Sequence, residues 1–254
     1  GQDSGLGRGW DKRKDLIAEK IQKNQVDLLG TQESTPRMTT DLSDLLGKSS
    51  SLFKWMGVPR TNISPEGVPI FYRTALLEAD PDDGGTFWLS DEPHRMGSNT
   101  FGGKQPRIVT WSRFTLKKSG KGFYFYNLHL DHVPAARLKS VDLLIEMIQK
   151  RKRSDNPVIV VGDFNASEKD PSIKKLSSFL KNAYRTKHPK GPAPLTFHKF
   201  EGKGSKHKYA RYIDYIFISP ALKVMTTNVI TENKPPFSSD HFPVISEISL
   251  DEAP

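Results

Sequence analysis

Cysteine is absent from the 254 residues of this chain. Its absence excludes a disulfide-stapled mini-protein, thiol catalysis and cysteine-ligated zinc. It leaves the cellular compartment open. No run of about 20 apolar residues occurs, so nothing reads as a membrane-spanning helix. The start, Gly1-Gln2-Asp3-Ser4-Gly5, has no basic stretch followed by an apolar one, so no secretion signal is visible. A mature secreted chain would look the same. Acid is in deficit, with 29 Asp and Glu against 38 Lys and Arg, a net charge of +9. What remains is a globular composition. Hydrophobic residues make up 35% and charged residues 26%, which excludes a disordered tail. The length buries a full core and allows one large domain or two small ones.

The positive charge is concentrated. Between Lys181 and Arg211 stand nine Lys and Arg residues and one acid, Glu201. Tyr184, Phe197, Phe200 and Tyr209 are interleaved with them, as are His188, His198 and His207. Basic residues alternating with aromatics can follow a phosphate backbone and stack on bases. A solvated, mobile loop kept soluble by lysine explains the same composition.

Hydrophobic periodicity predicts a helix over residues 10–26, with Leu16, Ile17 and Ile21 on one face, and a clearer one over 137–150. A third, over 171–180, starts with proline in its first turn. Strands are expected at 26–30, 67–72, 86–89, 107–116, 123–129, 157–161, 212–218 and 244–250. Residues 80–85 read as a turn, and 118–122 as the turn of a hairpin. No repeat or linker divides the chain.

A pattern emerges where the strands end. Glu33, His129, Asp163 with Asn165, Asp214, and Asp240 with His241 all fall at or beside predicted strand termini. Strand-end loops are where open sheets gather their sites. Carboxylates without thiolates suit Mg²⁺ or Mn²⁺. A phosphoester needs its charge neutralised, a water oriented and its leaving oxygen stabilised, and carboxylate, amide and imidazole supply those functions. Taken singly, each residue has an ordinary structural explanation. Five such places in one chain favour a site.

The strings Leu28-Leu-Gly-Thr-Gln-Glu33, Asn127-Leu-His129-Leu-Asp-His132, Val161-Gly-Asp163-Phe-Asn165, Tyr212-Ile-Asp214-Tyr-Ile-Phe217 and Ser239-Asp240-His241-Phe-Pro-Val244 carry a resemblance. In order and spacing they resemble the endonuclease/exonuclease/phosphatase superfamily. Pro69-Ile-Phe-Tyr-Arg73, Gly85-Thr-Phe-Trp-Leu-Ser90 and Pro106-Arg-Ile-Val-Thr-Trp111 resemble a bacterial branch of it. The resemblance implies an α+β fold, a four-layer α/β/β/α sandwich of two packed mixed β-sheets flanked by helices. It implies one domain over 1–254 and a Mg²⁺- or Mn²⁺-dependent phosphoester hydrolase. By the same resemblance, Glu33 and Asp240 would serve the metal and Asp163 would activate water. Asn165 and His129 would hold the phosphate, and Asp214 would pair with His241. Arg107 would reach the phosphate, and Glu66 would pair with His129. Family members begin with an Asn-bearing core strand. This sequence starts beyond that point, and Asn24, in a predicted helix, is no substitute, so the site is expected to lack that strand.

Three functions follow. The first is a phosphodiesterase or nuclease acting on nucleic acid, with Lys203, Lys206 and Lys208 binding substrate. The second is a phosphatase or phosphodiesterase for a small or lipid-derived phosphoester, such as a phosphosugar or phosphoinositide. The third is a non-catalytic nucleic-acid-binding relative. A monomer is expected in each case.

Overall fold

The computed structural model describes residues 8–47 and 53–250. The secretion-signal reading of residues 1–5 lies outside them. The elements run α1 (Trp10–Lys23), β1 (Leu28–Gly30), α2 (Pro36–Gly47), β2 (Phe53–Met56), β3 (Ile70–Arg73), β4 (Leu77–Trp88), β5 (Ile108–Leu116), β6 (Gly122–His129), α3 (Pro134–Gln149) and β7 (Val158–Asp163). They continue with α4 (Pro171–Phe179), β8 (Lys181–Asn182), α5 (Ala183–Lys187), β9 (Asp214–Ile218), β10 (Lys223–Val229) and β11 (Val244–Ser249).

Alternation along the strands sorts side chains into layers. The six-stranded sheet has the order β4-β5-β6-β7-β9-β8. On one face, Tyr124, Tyr126, Val158 and Val160 pack against Val141, Leu144 and Ile148 of α3 and Ile173 and Leu176 of α4. On the other, Phe123, Phe125, Ile159 and Ile218 meet Ile70, Tyr72 and Val224 from the smaller sheets. Phe71, between Ile70 and Tyr72, points the opposite way into Ala18, Ile21, Leu42 and Leu46 of α1 and α2. The order is therefore helices, large sheet, small sheets, helices, as expected. Each buried aromatic in these layers is worth roughly 2–3 kcal/mol of apolar transfer.

The smaller sheets differ from the expectation of mixed sheets. They are β1-β3-β2 and β10-β11, both wholly antiparallel; only the large sheet is mixed, through the parallel β6–β7 pair. Among the described residues β1 is paired only with β3, and β11 only with β10. Asn24 caps the C-terminus of α1, its amide donating to the Lys20 carbonyl at 2.8 Å.

Residues 80–85 are not a turn. β4 continues through them with a bulge: Ala79 pairs with Phe114 and Gly84 with Ser112, so four residues oppose Arg113 alone. The Asp and Gly residues that suggest a turn supply the local flexibility of that bulge. Sequence patterning also misses α2, β2, β8, α5 and β10. α2 carried a readable start, because Thr35 Oγ1 accepts the Met38 N–H at 3.3 Å just before Pro36.

Strand register assembles the site. His129 at the end of β6 is level with Asp163 at the end of β7, and Asp163 is level with Asp214, the first residue of β9. Three strand ends thus present three polar side chains in a row.

Candidate active site

Gly162 makes the approach of β7 possible. Its φ is +151°, and a Cβ there would lie 2.0 Å from the Leu128 carbonyl oxygen of β6. The residue before Asp163 therefore has to be glycine. Asp163 is 6% exposed, and its Oδ1 accepts the Asn165 N–H at 2.8 Å. Asn165 then turns the chain with φ 49°, a left-handed conformation that Asn tolerates well.

His241 completes the row from a separate loop. Its Nδ1 lies 2.9 Å from Asp214 Oδ2, and its Nε2 lies 3.9 Å from Asp163 Oδ2. Asp163, Asp214 and His241 each offer one atom of a cluster in which all lie within 4.8 Å of one another. Burial pushes the Asp163 carboxyl up, the neighbouring Asp214 charge pushes it further, and His241 opposes; the result is about 7. Burial pulls His241 down, but the charge and hydrogen bond of Asp214, helped by Asp163 and Asp240, outweigh it and raise it to about 10. The imidazole is thus held as a cation between two acids.

His129 is the opposite case. Burial, with Arg107 and His241 nearby, holds its pKa well below the usual value, so it is neutral. Asn165 Nδ2 lies 2.9 Å from His129 Nε2 and donates to the Leu130 carbonyl at 3.0 Å. With His129 neutral, Nε2 is the acceptor of that pair and the ring proton sits on Nδ1. Asp163 Oδ2 lies 3.4 Å from the same Nε2. Both Asn165 amide protons are therefore committed within the protein, while its side-chain oxygen remains available.

A second group stands on the loop after β1. Glu33 adopts φ 55°, a left-handed conformation whose cost for a glutamate is of order 1 kcal/mol. Glu33, Glu66, Arg60, Arg107 and His129 line a narrow pocket of about 10 Å³, room for one water. Glu33 is raised by burial and then by the charges of Glu66 and Asp240, with His241 and Arg107 opposing. Glu66 does not pair with His129. It forms an ion pair with the buried Arg60, whose Nη2 also donates to Ser64 Oγ at 2.9 Å. Arg107 is 5% exposed, with Nε 3.5 Å from Asp131 Oδ2. Its Nε and Nη1 have no hydrogen-bond partner among the described residues. The Asp240 carbonyl accepts the His198 and Lys199 N–H groups at 2.9 and 3.2 Å, which fixes the loop that carries His241.

A divalent cation fits this arrangement by its chemistry. Glu33 and Asp240 are hard oxygen donors whose mutual repulsion a cation would relieve. In the tighter cluster His241 is charged and tied to Asp214 through Nδ1, so it acts there as a cation itself rather than as a ligand.

Lys203, Lys206 and Lys208 are exposed, and Lys208 Nζ lies 4.9 Å above the Tyr209 ring. Their loop is anchored at its root rather than free. Thr196, His198 and Phe200 are buried, and the Phe197 ring lies 5.0 Å from that of His241. Two residues of the Asn127–His132 string, to which the sequence assigns no role, hold the site together. Asn127, fully buried, donates to the Thr31 and Pro69 carbonyls at 2.9 and 3.0 Å and accepts from Gln32 at 2.7 Å, joining β6 to the Glu33 loop. Asp131 holds Arg107, the Lys104 N–H and the Val133 N–H. A buried Asn within an apolar strand is the one signal that could have revealed the first.

Known proteins share this architecture. A mannosyl-6-phosphatase from Bacteroides thetaiotaomicron superposes with a TM-score of 0.86 and 31% identity, over 98% of this chain and 95% of that one. An endonuclease/exonuclease/phosphatase from Bacteroides vulgatus superposes with 0.86 and 29%, over 96% and 92%. Nocturnin of Rattus norvegicus is 27% identical over 96% of this chain, which spans 60% of the nocturnin length. The model of the Endonuclease/Exonuclease/phosphatase family matches residues 4–241, so the chain belongs to that family of phosphoester hydrolases.

Proposed function

We propose that the protein is a divalent-metal-dependent phosphatase acting on a small hydroxylated phosphoester of the sugar-phosphate type. The observation that carries the hydrolytic reading is the Asp163–Asp214–His241 cluster, with His129 and Asn165 beside it. Asp163, raised to about 7, is matched to accepting a proton from water near neutral pH. His241, fixed by Asp214, places a positive charge where negative charge accumulates on a phosphoryl group. Glu33 and Asp240 would hold Mg²⁺ or Mn²⁺. Bound there, the cation would supply charge neutralisation at a phosphoryl oxygen. Site residues drawn from Glu33 to His241 support one catalytic domain. Likeness to the mannosyl-6-phosphatase over 98% of this chain supports the substrate class, as do the charged side chains of Arg60, Glu66 and Arg107 that line the narrow pocket beside Glu33, which suit hydroxyl and phosphate groups.

The order of the two leading readings is thereby reversed from that drawn on charge. Hydrolysis of nucleic acid stays as the second reading because Lys203, Lys206, Lys208 and Tyr209 are exposed on the loop rooted beside His241. A panel of mannose 6-phosphate, glucose 6-phosphate, and single-stranded DNA and RNA separates them, each assayed with Mg²⁺, with Mn²⁺ and with chelator. The proposal expects metal-dependent phosphate release from a sugar phosphate. Faster cleavage of an oligonucleotide, suppressed by salt, would replace it with the second reading.

A further inference from the structure

The Asp214–His241 hydrogen bond joins two stretches of chain that are not neighbours in sequence, and one residue holds both. Thr196 is fully buried between them. Its Oγ1 accepts the Ile213 N–H at 2.9 Å and the Asp214 N–H at 3.1 Å. Its backbone carbonyl accepts the Phe242 N–H at 2.7 Å, one residue beyond His241. Its own N–H and that of Phe197 close onto the Arg211 carbonyl at 3.1 and 3.0 Å. Asp214 is thus located through the threonine side chain and His241 through the threonine backbone. The next residue adds a lateral stop, because Phe197 forms a bridge with His241 and packs its ring against the imidazole.

We propose that Thr196 is a positioning residue of the active site, whose hydroxyl sets the Asp214 carboxylate at the distance and angle that its bond to His241 requires. This rests on the hydrolytic reading of Asp214 and His241. Thr196 touches neither a reacting atom nor the water-sized pocket. A valine at 196 keeps the shape and removes the acceptor, so both N–H groups lose their partner and the β9 start is free to shift. A serine keeps the acceptor and loses only a methyl group.

The two substitutions therefore separate positioning from packing. The experiment measures kcat and KM for Mg²⁺-supported hydrolysis of p-nitrophenyl phosphate by the full chain, for wild type, Thr196→Val, Thr196→Ser and Asp214→Asn. Thr196→Val is expected to lower kcat by about tenfold to a hundredfold with KM within about twofold, because misplacement acts on the chemical step. Thr196→Ser is expected to restore kcat to within about threefold of wild type, since the shared acceptor is back. A wild-type kcat in Thr196→Val, or an equal fall in both variants, overturns the proposal. Should Thr196→Val not fold, Thr196→Ser decides alone: near-wild-type kcat supports the hydroxyl's role, and a fall beyond about tenfold, too large for one methyl group, overturns it. Asp214→Asn guards the premise. If it is inactive, a failure of the Thr196 variants concerns Thr196 only; if it is fully active, the hydrolytic reading of the pair fails and the inference falls with it.

Discussion

Two buried aspartates at opposite ends of the large sheet show what separates a site from a core. Asp163 closes β7, and Asp83 sits in the β4 bulge, where Tyr124 at the start of β6 donates to it at 2.5 Å. They are 6% and 2% exposed, so burial does not distinguish them. Their neighbours do. Asp83 faces a neutral hydroxyl that also accepts the Arg153 N–H at 3.0 Å, and the network ends there. Burial and Asp83 raise the Tyr124 hydroxyl to about 12, so it stays a proton donor throughout the physiological range. Asp163 faces a second carboxylate and two imidazoles, one charged and one neutral. Crowded charge at the Asp163 end leaves groups that titrate near neutrality.

The contrast can be broken most forcefully at the charged end. Asp214→Asn or His241→Ala should lower kcat by about a thousandfold while the fold survives, the scale expected for groups that serve the transition state. Near-wild-type turnover in either would remove the distinction between the two ends.

Stability against pH tests it next. Asp163 binds its proton more tightly folded than unfolded, and so does His241. The stabilisation from Asp163 is complete below the ordinary carboxylate pKa and fades as pH rises towards about 7. That from His241 is complete below the ordinary imidazole pKa and fades as pH rises towards about 10. In chelator, the melting temperature should therefore fall as pH rises from 5 to 8. Asp163→Asn should flatten that fall, because it removes one titrating group and weakens the hold on the other. A slope equal to wild type would contradict the coupling.

At the other end, Tyr124→Phe should cost about 1–3 kcal/mol of stability, since it strands a buried carboxylate oxygen and an N–H. Its kcat should be unchanged, and a large kcat loss would mean that the two ends communicate. The smallest effect is expected on the rim. Neutralising Lys203, Lys206 and Lys208 together should change sugar-phosphate turnover by less than about twofold, as exposed charges do. A marked loss confined to oligonucleotides would favour the nucleic-acid reading.

Legibility in the sequence follows the same line. Asp163, Asp214 and His241 stood out because each interrupts or borders an apolar strand, where a charge needs a reason to be. The layers were legible only through the resemblance, because Ile70, Phe71 and Tyr72 are all apolar and their division between two cores leaves no polar signal in the sequence. For Glu66 the resemblance implies His129 as partner and the structure gives Arg60 instead, because the partner depends on how a loop folds back. Thr196 was hidden by the lysines around it, which make a buried anchor read as surface. The Asp-Gly run of 80–85 signals backbone freedom, and both a turn and a bulge use it.

The central claim is that the Asp163 end of the sheet hydrolyses phosphoesters with a divalent cation. Its most direct measurement is phosphate release from mannose 6-phosphate by chelator-treated protein, before and after addition of Mg²⁺, with Asp163→Asn alongside. The account predicts silence before the metal, turnover after it in wild type, and silence throughout in the variant. Turnover in chelator, or a variant as active as wild type, would contradict it.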